Sequence, residues 1–336
     1  MAVLADRNLT LADWASRKDP NGKMMVITEL LNLNDRLLDD IVWREANGVQ
    51  KHVGSVRTGL PDVYFRVLNQ GVPVSKSTTA KVEEVMSAIE SRSDIDVRLI
   101  RLNGSDPNFR ASEDLAFIEA MRQKMLYNMI YGNPKKDPEN FIGLHLRYND
   151  PTARNHVMII DADKDATTGS NYASIYLPVW GDQTVHGLFP KGSPVGLQHQ
   201  NLGENDALDA NGNKFRAVSS LFTWEAGLHV VDWEACGRIA NISLAKLESG
   251  EINLIHRLID LTERIEKQSM GTPVIYCPRS VRTYLRKQVL EKRNVNLTWD
   301  TVEGKRVLAF DGIEIHALKA LDYNEPAYDP KKVAAA

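Results

Sequence analysis

A chain of 336 residues, 43% hydrophobic and 25% charged, has the composition of an ordinary globular protein and the length for one large or two medium cores. Its 41 basic and 44 acidic residues leave a formal net charge of -3, without the basic excess of a dedicated DNA binder. The opening MAVLADRNLTLADWASRKDP carries charges throughout, no later stretch is apolar enough to span a bilayer, and Cys236 and Cys277 lack any zinc or redox spacing, so secretion, membrane insertion and a disulfide framework are not expected.

From Thr10 to Glu45, Ala12, Met25, Ile27, Leu30, Leu31, Leu33, Leu37, Leu38, Ile41 and Trp43 alternate with charges, broken at Asp19-Pro20-Asn21-Gly22. This predicts a short helix, a turn and a helix with a wide apolar face. Nothing local before residue 80 is available to bury that face, so the rest of the subunit or a neighbour must cover it.

Residues 47–79 change character, with valines and aromatics spread among glycines and prolines. Gly59-Leu60-Pro61-Asp62 separates two β-rich runs, which predicts an extended hairpin. Lys51, Arg57, Arg66 and Lys76 stand against the single Asp62, so the segment is basic in a slightly acidic chain. A long two-stranded hairpin is marginal alone and lies on another surface.

Residues 81–102 alternate loosely and fit a strand or a short helix. Next comes the strongest helix pattern, 112–131: Ser112 as N-cap, Glu113 and Asp114 in the first turn, and Leu115, Ile118, Met121, Met125 and Met129 at helical spacing until Gly132-Asn133-Pro134 stops it. These apolar residues are expected to face a sheet.

From Phe141 to Ile242 the pattern is mainly β, with Val157–Asp161, Ser174–Trp180, Val185–Phe189, Phe215–Trp224 and Leu228–Trp233 as strands and Asp209–Asn213 as a tight turn. A helix near 253–267, a strand 273–277, a helix 280–291 and strands 306–310 and 313–317 close the chain as a compact α/β run. Residues 329–336 lack a core-forming pattern and read as a loose tail. The fold class is α+β.

Chemical motifs are weak. Asp161-Ala162-Asp163-Lys164-Asp165 resembles the opening of a calcium loop, but Ala166 replaces the required glycine and Tyr172 stands where the bidentate Glu belongs, so a solvated acidic loop is the plainer reading. None of the eight histidines sits in a metal-binding spacing, no phosphate loop follows a strand, and neither Ser219-Ser220 nor Cys277 has a nucleophile signature. The six tryptophans are scattered without interleaved arginines and read as core or interface anchors rather than base-stacking platforms. Neither a catalytic site, a cofactor nor a bound metal is expected.

The order of arm, basic hairpin, long helix, β-rich region and α/β domain is similar to the major capsid proteins of tailed bacteriophages. So are the phrases Arg57-Thr58-Gly59-Leu60-Pro61, Leu68-Asn69-Gln70-Gly71-Val72, Phe109-Arg110-Ala111-Ser112-Glu113-Asp114 and Tyr131-Gly132-Asn133-Pro134. Val179-Trp180-Gly181, Val185 through Gly192, Gly196-Leu197-Gln198-His199, Asp232-Trp233 and Arg238-Ile239-Ala240-Asn241 add to the resemblance. It implies the tailed-phage capsid fold: an N-arm over 1–46, an E-loop hairpin over 47–79, a peripheral P-domain over 80–175 with the spine helix 112–131, a mainly axial A-domain over 176–328, and the tail.

The resemblance implies a structural protein without enzymatic activity that assembles with itself into hexamers and pentamers of an icosahedral head around double-stranded DNA. Assembly is expected in the bacterial cytoplasm, with residence in the virion. A portal, decoration proteins and a separate scaffolding protein are its implied partners, the last because the chain reaches the arm-like segment at once. Lys51, Arg57, Arg66, Lys76, Trp14 and Trp43 are the expected contacts between subunits. Neither Lys51 nor Lys76 matches a crosslinking site of the family. The alternatives are an encapsulin shell of the same fold and an enzyme with an unrecognised site.

Overall fold

The computed structural model describes residues 35–66, 68–102, 107–166, 169–209, 211–290, 297–302, 305–321 and 323–330. Trp14, the Asp19–Gly22 turn and the end of the tail lie outside them. In chain order the strands are β1 (Trp43–Glu45), β2 (Lys51–Gly59), β3 (Thr78–Val85), β4 (Ser87–Asp96), β5 (Ile159–Asp161), β6 (Ser170–Trp180), β7 (Val185–Phe189), β8 (Gln198–Leu208), β9 (Lys214–Val230), β10 (Cys236–Ile242), β11 (Thr272–Cys277), β12 (Leu297–Val302), β13 (Lys305–Phe310), β14 (Ile313–Ala317) and β15 (Glu325–Pro326). The main helices are Pro107–Tyr131, Leu254–Arg264 and Arg279–Leu290.

The chain forms two compact units, and the described part of the larger holds residues 35–66, 68–87, 126–166, 169–193, 226–290, 297–302, 305–321 and 323–330. Its sheet is centred on β6, which pairs antiparallel with β10 and β11, and β14 runs parallel to β11. The run from Ala173 to Trp180 of β6 is buried without alternation, the pattern of a strand covered on both faces. The Leu254–Arg264 helix buries Leu254, Ile255, Leu258 and Leu261, the i, i+1, i+4, i+7 stripe of an amphipathic helix, after Asn253 caps it by accepting from the His256 N–H.

A buried polar chain ties residues 35–40 to this sheet. Trp180 Nε1 donates to Tyr276 Oη at 2.9 Å, Tyr276 donates to Asp40 at 2.7 Å, and His316 meets Asp40 through Nδ1 and Glu314 through Nε2, each at 2.9 Å. The Lys319 N–H donates to Asp35. Leu37, Leu38 and Ile41 are buried, so the apolar residues at the end of the arm are covered within their own chain.

The described part of the smaller unit comprises residues 88–102, 107–125, 194–209 and 211–225. Here the first part of β9 lies between β8 and β4. Arg110 donates to Asn201 and Ser220, each at 2.8 Å, and Ser219 Oγ donates to Asp94 and lies 2.7 Å from the Asn205 side chain. His199 and Phe117 both stack on Phe222. Asp209 turns the chain between β8 and β9 by accepting the N–H groups of Asn211 and Asn213, the Asx chemistry expected of that stretch.

Four expectations need correction. The long helix begins at Pro107 rather than after a Ser112 cap; proline suits a first helical position, where no intrahelical N–H bond is missed. Its buried apolar residues are Met121, Met125, Leu126, Met129 and Ile130, whereas Leu115 is 40% exposed, so the apolar stripe does not extend to the first turns. The expected strands 215–224 and 228–233 are one strand, β9, because Gly227 does not interrupt it but makes room for Met86, whose Cγ would lie 2.9 Å from a Cβ there. Finally, Trp43 lies in β1 rather than a helix and packs on Gly187 of β7, where a Cβ would come within 2.6 Å of its ring.

Candidate functional site

The sequence places its contact candidates on the hairpin, and the structure shows a hairpin of different register. β2 pairs antiparallel with β3 from Lys51↔Val85 to Gly59↔Thr78. The second strand is therefore Thr78–Val85 and not the apolar run 63–74. Gly71 and Pro73 interrupt that run: glycine has no side chain to pack in a strand, and proline has no N–H to donate to a ladder. In its place the chain makes a long tip over residues 60–77, closed at its neck by Thr58 with Thr78 and by Ser75 donating to the Asp62 carbonyl at 2.8 Å.

Val63, Phe65, Leu68 and Val74 in the tip are each 90% or more exposed, and Leu60 nearly as much. Burying such side chains is worth roughly 1.5–3 kcal/mol apiece, so the tip holds a store of unrealised hydrophobic stabilisation. Large apolar side chains exposed together on one segment point to a contact with another molecule.

The charged candidates divide. Arg57, Arg66 and Lys76 are exposed on the hairpin. Lys51 instead pairs with Glu83 at 2.8 Å, and Lys81 meets the same carboxylate at 2.6 Å. These two ammonium groups hold Glu83 down to about 2. The pairs are solvent-exposed and add little to stability.

The root of the hairpin is built from residues that sequence reasoning missed. Glu84 of β3 is buried and takes both guanidinium arms of Arg147, at 2.7 and 2.6 Å, while Arg147 also donates to the Leu228 carbonyl at 3.0 Å. Burial works to raise the Glu84 carboxyl, but His229 and Arg147 together hold it below its usual range. Asn47 clasps β2 by donating to the Val53 carbonyl at 2.7 Å and accepting its N–H at 2.9 Å. Met86, Ala46 and Leu188 form a small apolar cluster beneath. An acidic side chain at an inward position of a strand was the available signal, but only the partner 63 residues away explains it.

A second missed feature is the buried Arg238, set in the otherwise uncharged strand Cys236–Ile242. It donates to Glu325 at 2.8 Å, to Ser174 at 3.0 Å, and to the Tyr148 carbonyl and Asn149, each at 2.8 Å. Tyr131 donates to the other Glu325 oxygen at 2.6 Å, and Ser174 donates to Glu325 as well. The cluster fastens β15 to β6 and β10.

The residues weighed for chemistry have structural partners. Asp163 pairs with Lys246 at 2.8 Å and Asp161 accepts from Asn241 at 2.7 Å, so these acids do not converge on one point. Among the described residues no group of three or more His, Cys, Asp or Glu is placed to hold a metal ion. Cys236 and Cys277 are buried, and burial pushes each thiol up to about 12, which leaves essentially no thiolate at neutral pH.

Residues 19–328 match the family model described as major capsid protein GP7. Among solved structures, a chain of bacteriophage Epsilon15 is 27% identical with a TM-score of 0.78, the match covering 98% of this chain and 100% of that one. A chain of the bacteriophage JBD30 capsid is similar in fold, with 12% identity, a TM-score of 0.50 and coverage of 87% and 93%. The SrpI encapsulin of Synechococcus elongatus PCC 7942 matches at 15% identity and a TM-score of 0.44, covering 70% and 97%. Comparison with curated protein sequences returned no match.

Proposed function

The chain belongs to the major capsid protein GP7 family, and from that premise we propose that it forms hexamers and pentamers of an icosahedral head through its hairpin. Its role is structural: self-assembly into a bacteriophage capsid shell, as a component of the virion. Among the described residues no helix is long and apolar enough to cross a membrane.

The observation that carries the hairpin's part in this reading is the exposed apolar tip flanked by Arg57, Arg66 and Lys76. A neighbouring copy covers it, the apolar residues supplying affinity and the basic ones register. A tip on one copy and a different receiving surface on the next make a heterologous contact, which closes into rings. Trp14 and Trp43 are proposed to support the same contacts, Trp43 from its half-buried place in β1 beside β7. The shell encloses double-stranded DNA and is built in the bacterial cytoplasm with a separate scaffolding protein, a portal and decoration proteins.

Electron micrographs of the overexpressed chain with its scaffolding partner test the reading, with closed shells expected and unassembled subunits alone overturning it. The Arg57→Glu/Arg66→Glu double variant and, separately, Phe65→Ser/Leu68→Ser are expected to abolish shells while circular dichroism and sedimentation report a folded monomer. Normal particles from both variants would count against the hairpin as the contact.

The enclosed genome sets a further expectation. A chain of net charge -3 does not grip packaged DNA by bulk charge, and a wall that did so would obstruct packaging and release. Lys124, Lys135 and Lys136 are assigned to solvent or to neighbouring subunits rather than to DNA. Filter binding of the isolated subunit at physiological salt should give dissociation constants no tighter than about 1 μM. Submicromolar, sequence-independent affinity would overturn the claim.

A further inference from the structure

We propose that His52, His186 and His229, packed at the root of the hairpin against Glu84 and Arg147, form an acid-sensitive latch that holds the hairpin to its own subunit at neutral pH. The three rings come from β2, β7 and β9, and the acid from β3, so the cluster joins both hairpin strands to the sheet below. The His52 and His229 ring centroids lie 4.9 Å apart and those of His186 and His229 5.1 Å apart. His186 and His229 are each 3% exposed. Gly54 brings the β2 backbone onto His229, where a Cβ would sit 3.3 Å from the ring.

The charges around the cluster decide what a proton does there. Arg147 faces it from the helix Leu144–Arg147 and already occupies both oxygens of Glu84. Arg44 faces it from β1, partly offset by Asp182 at 3.7 Å. His229 Nδ1 stands 3.8 Å from Glu84, beyond hydrogen-bond range, and among the described residues the Nδ1 atoms of His186 and His229 have no hydrogen-bond partner. At neutral pH His52 and His186 pack as uncharged rings. Protonation of His52 and His186 sets them, with Arg147 and Arg44, against the single carboxylate of Glu84 and the more distant Asp182.

A hydrogen bond carries the same dependence. His52 Nδ1 accepts the Asn47 N–H at 3.3 Å, which requires an unprotonated nitrogen there. Protonating the ring removes that acceptor beside the Asn47 clasp on Val53. The titration agrees in sign. Burial, then His229, Arg44 and His52, press His186 down to about 4, and burial, then His229 and Arg44, lower His52 against the opposing pull of Glu84. A histidine depressed in the folded state stabilises it fully above its ordinary value of 6.5, and that contribution is lost as pH falls from there towards 4.

Hydrogen–deuterium exchange on the full-length, unassembled chain between pH 7.5 and 4.5, corrected for intrinsic exchange, tests the latch. Residues 51–59 and 78–85 are expected to lose at least about tenfold in protection as pH falls below 6, while β6 and β10 keep theirs. The His52→Gln/His186→Gln variant should shift that loss at least one pH unit lower or remove it. If the double variant does not fold, the half-buried His52→Gln alone should shift it in the same direction. His145→Gln is the control: that half-buried ring, 3.7 Å from Glu325 in the Arg238 cluster and held down to about 2 by burial and Arg238, should leave the hairpin's midpoint in place when replaced. Hairpin protection that stays flat to pH 4.5, that is lost together with β6 and β10, or that falls at the wild-type pH in the folded glutamine variants would overturn the latch. The consequence for shell contacts rests on the proposed role of the hairpin, but the exchange experiment is done on monomers and its outcome is independent of assembly.

Discussion

Replacing Glu325 by alanine is expected to destabilise the subunit by about 3–5 kcal/mol, the usual penalty for removing one member of a buried ion pair. Arg238 is 1% exposed and cannot turn to water when its carboxylate is lost. The variant also strips the acceptor from Tyr131 and Ser174, so several donors lose their partner at once. The surviving bonds from Arg238 to Ser174, Asn149 and the Tyr148 carbonyl do not neutralise its charge. Removing both charges together, as Arg238→Met/Glu325→Leu, should cost clearly less than Glu325→Ala, because no uncompensated cation remains. Urea unfolding of the unassembled subunit measures all three. A Glu325→Ala midpoint equal to wild type would show that β15 is not held by this pair.

The long helix supplies the second large effect. Met125 is fully buried, and Met125→Ala should cost about 2–5 kcal/mol through lost transfer energy and the cavity left behind. Leu115→Ala, on the same helix at a position 40% exposed, should cost clearly less, since part of the side chain it removes already meets water and no enclosed cavity is left behind. The comparison separates burial from helical propensity, because alanine is the better helix former in both cases. Equal losses at the two sites would mean that the helix buries a different face in solution.

The contrast between those two residues shows where sequence reasoning stops. Leu115 and Met125 fit one helical repeat, and periodicity alone treats them alike. Which turns are covered depends on what packs against them. The helix N-terminus has the same character: Ser112 followed by Glu113 and Asp114 is a sound cap by composition, yet the chain begins its helix at Pro107, where the proline costs nothing.

Features that depend on neighbours in the chain were legible. The Leu254–Arg264 helix, strands β7, β11 and β14, and the Asp209–Asn213 turn fall within a residue or a few of the expected spans, because side-chain period and turn chemistry are local. The family was legible as well, from short phrases spread along nearly the whole chain. What only the tertiary structure decided is pairing across distance. The strand partner of Lys51–Gly59 is Thr78–Val85 rather than the apolar run beside the turn, since Gly71 and Pro73 interrupt that run and its side chains are left to another surface. Glu84 finds Arg147, His52 finds His229, and Arg238 finds Glu325 across 87 residues. A charge in a strand announces that it needs a partner, but its identity follows from which backbones the fold brings together.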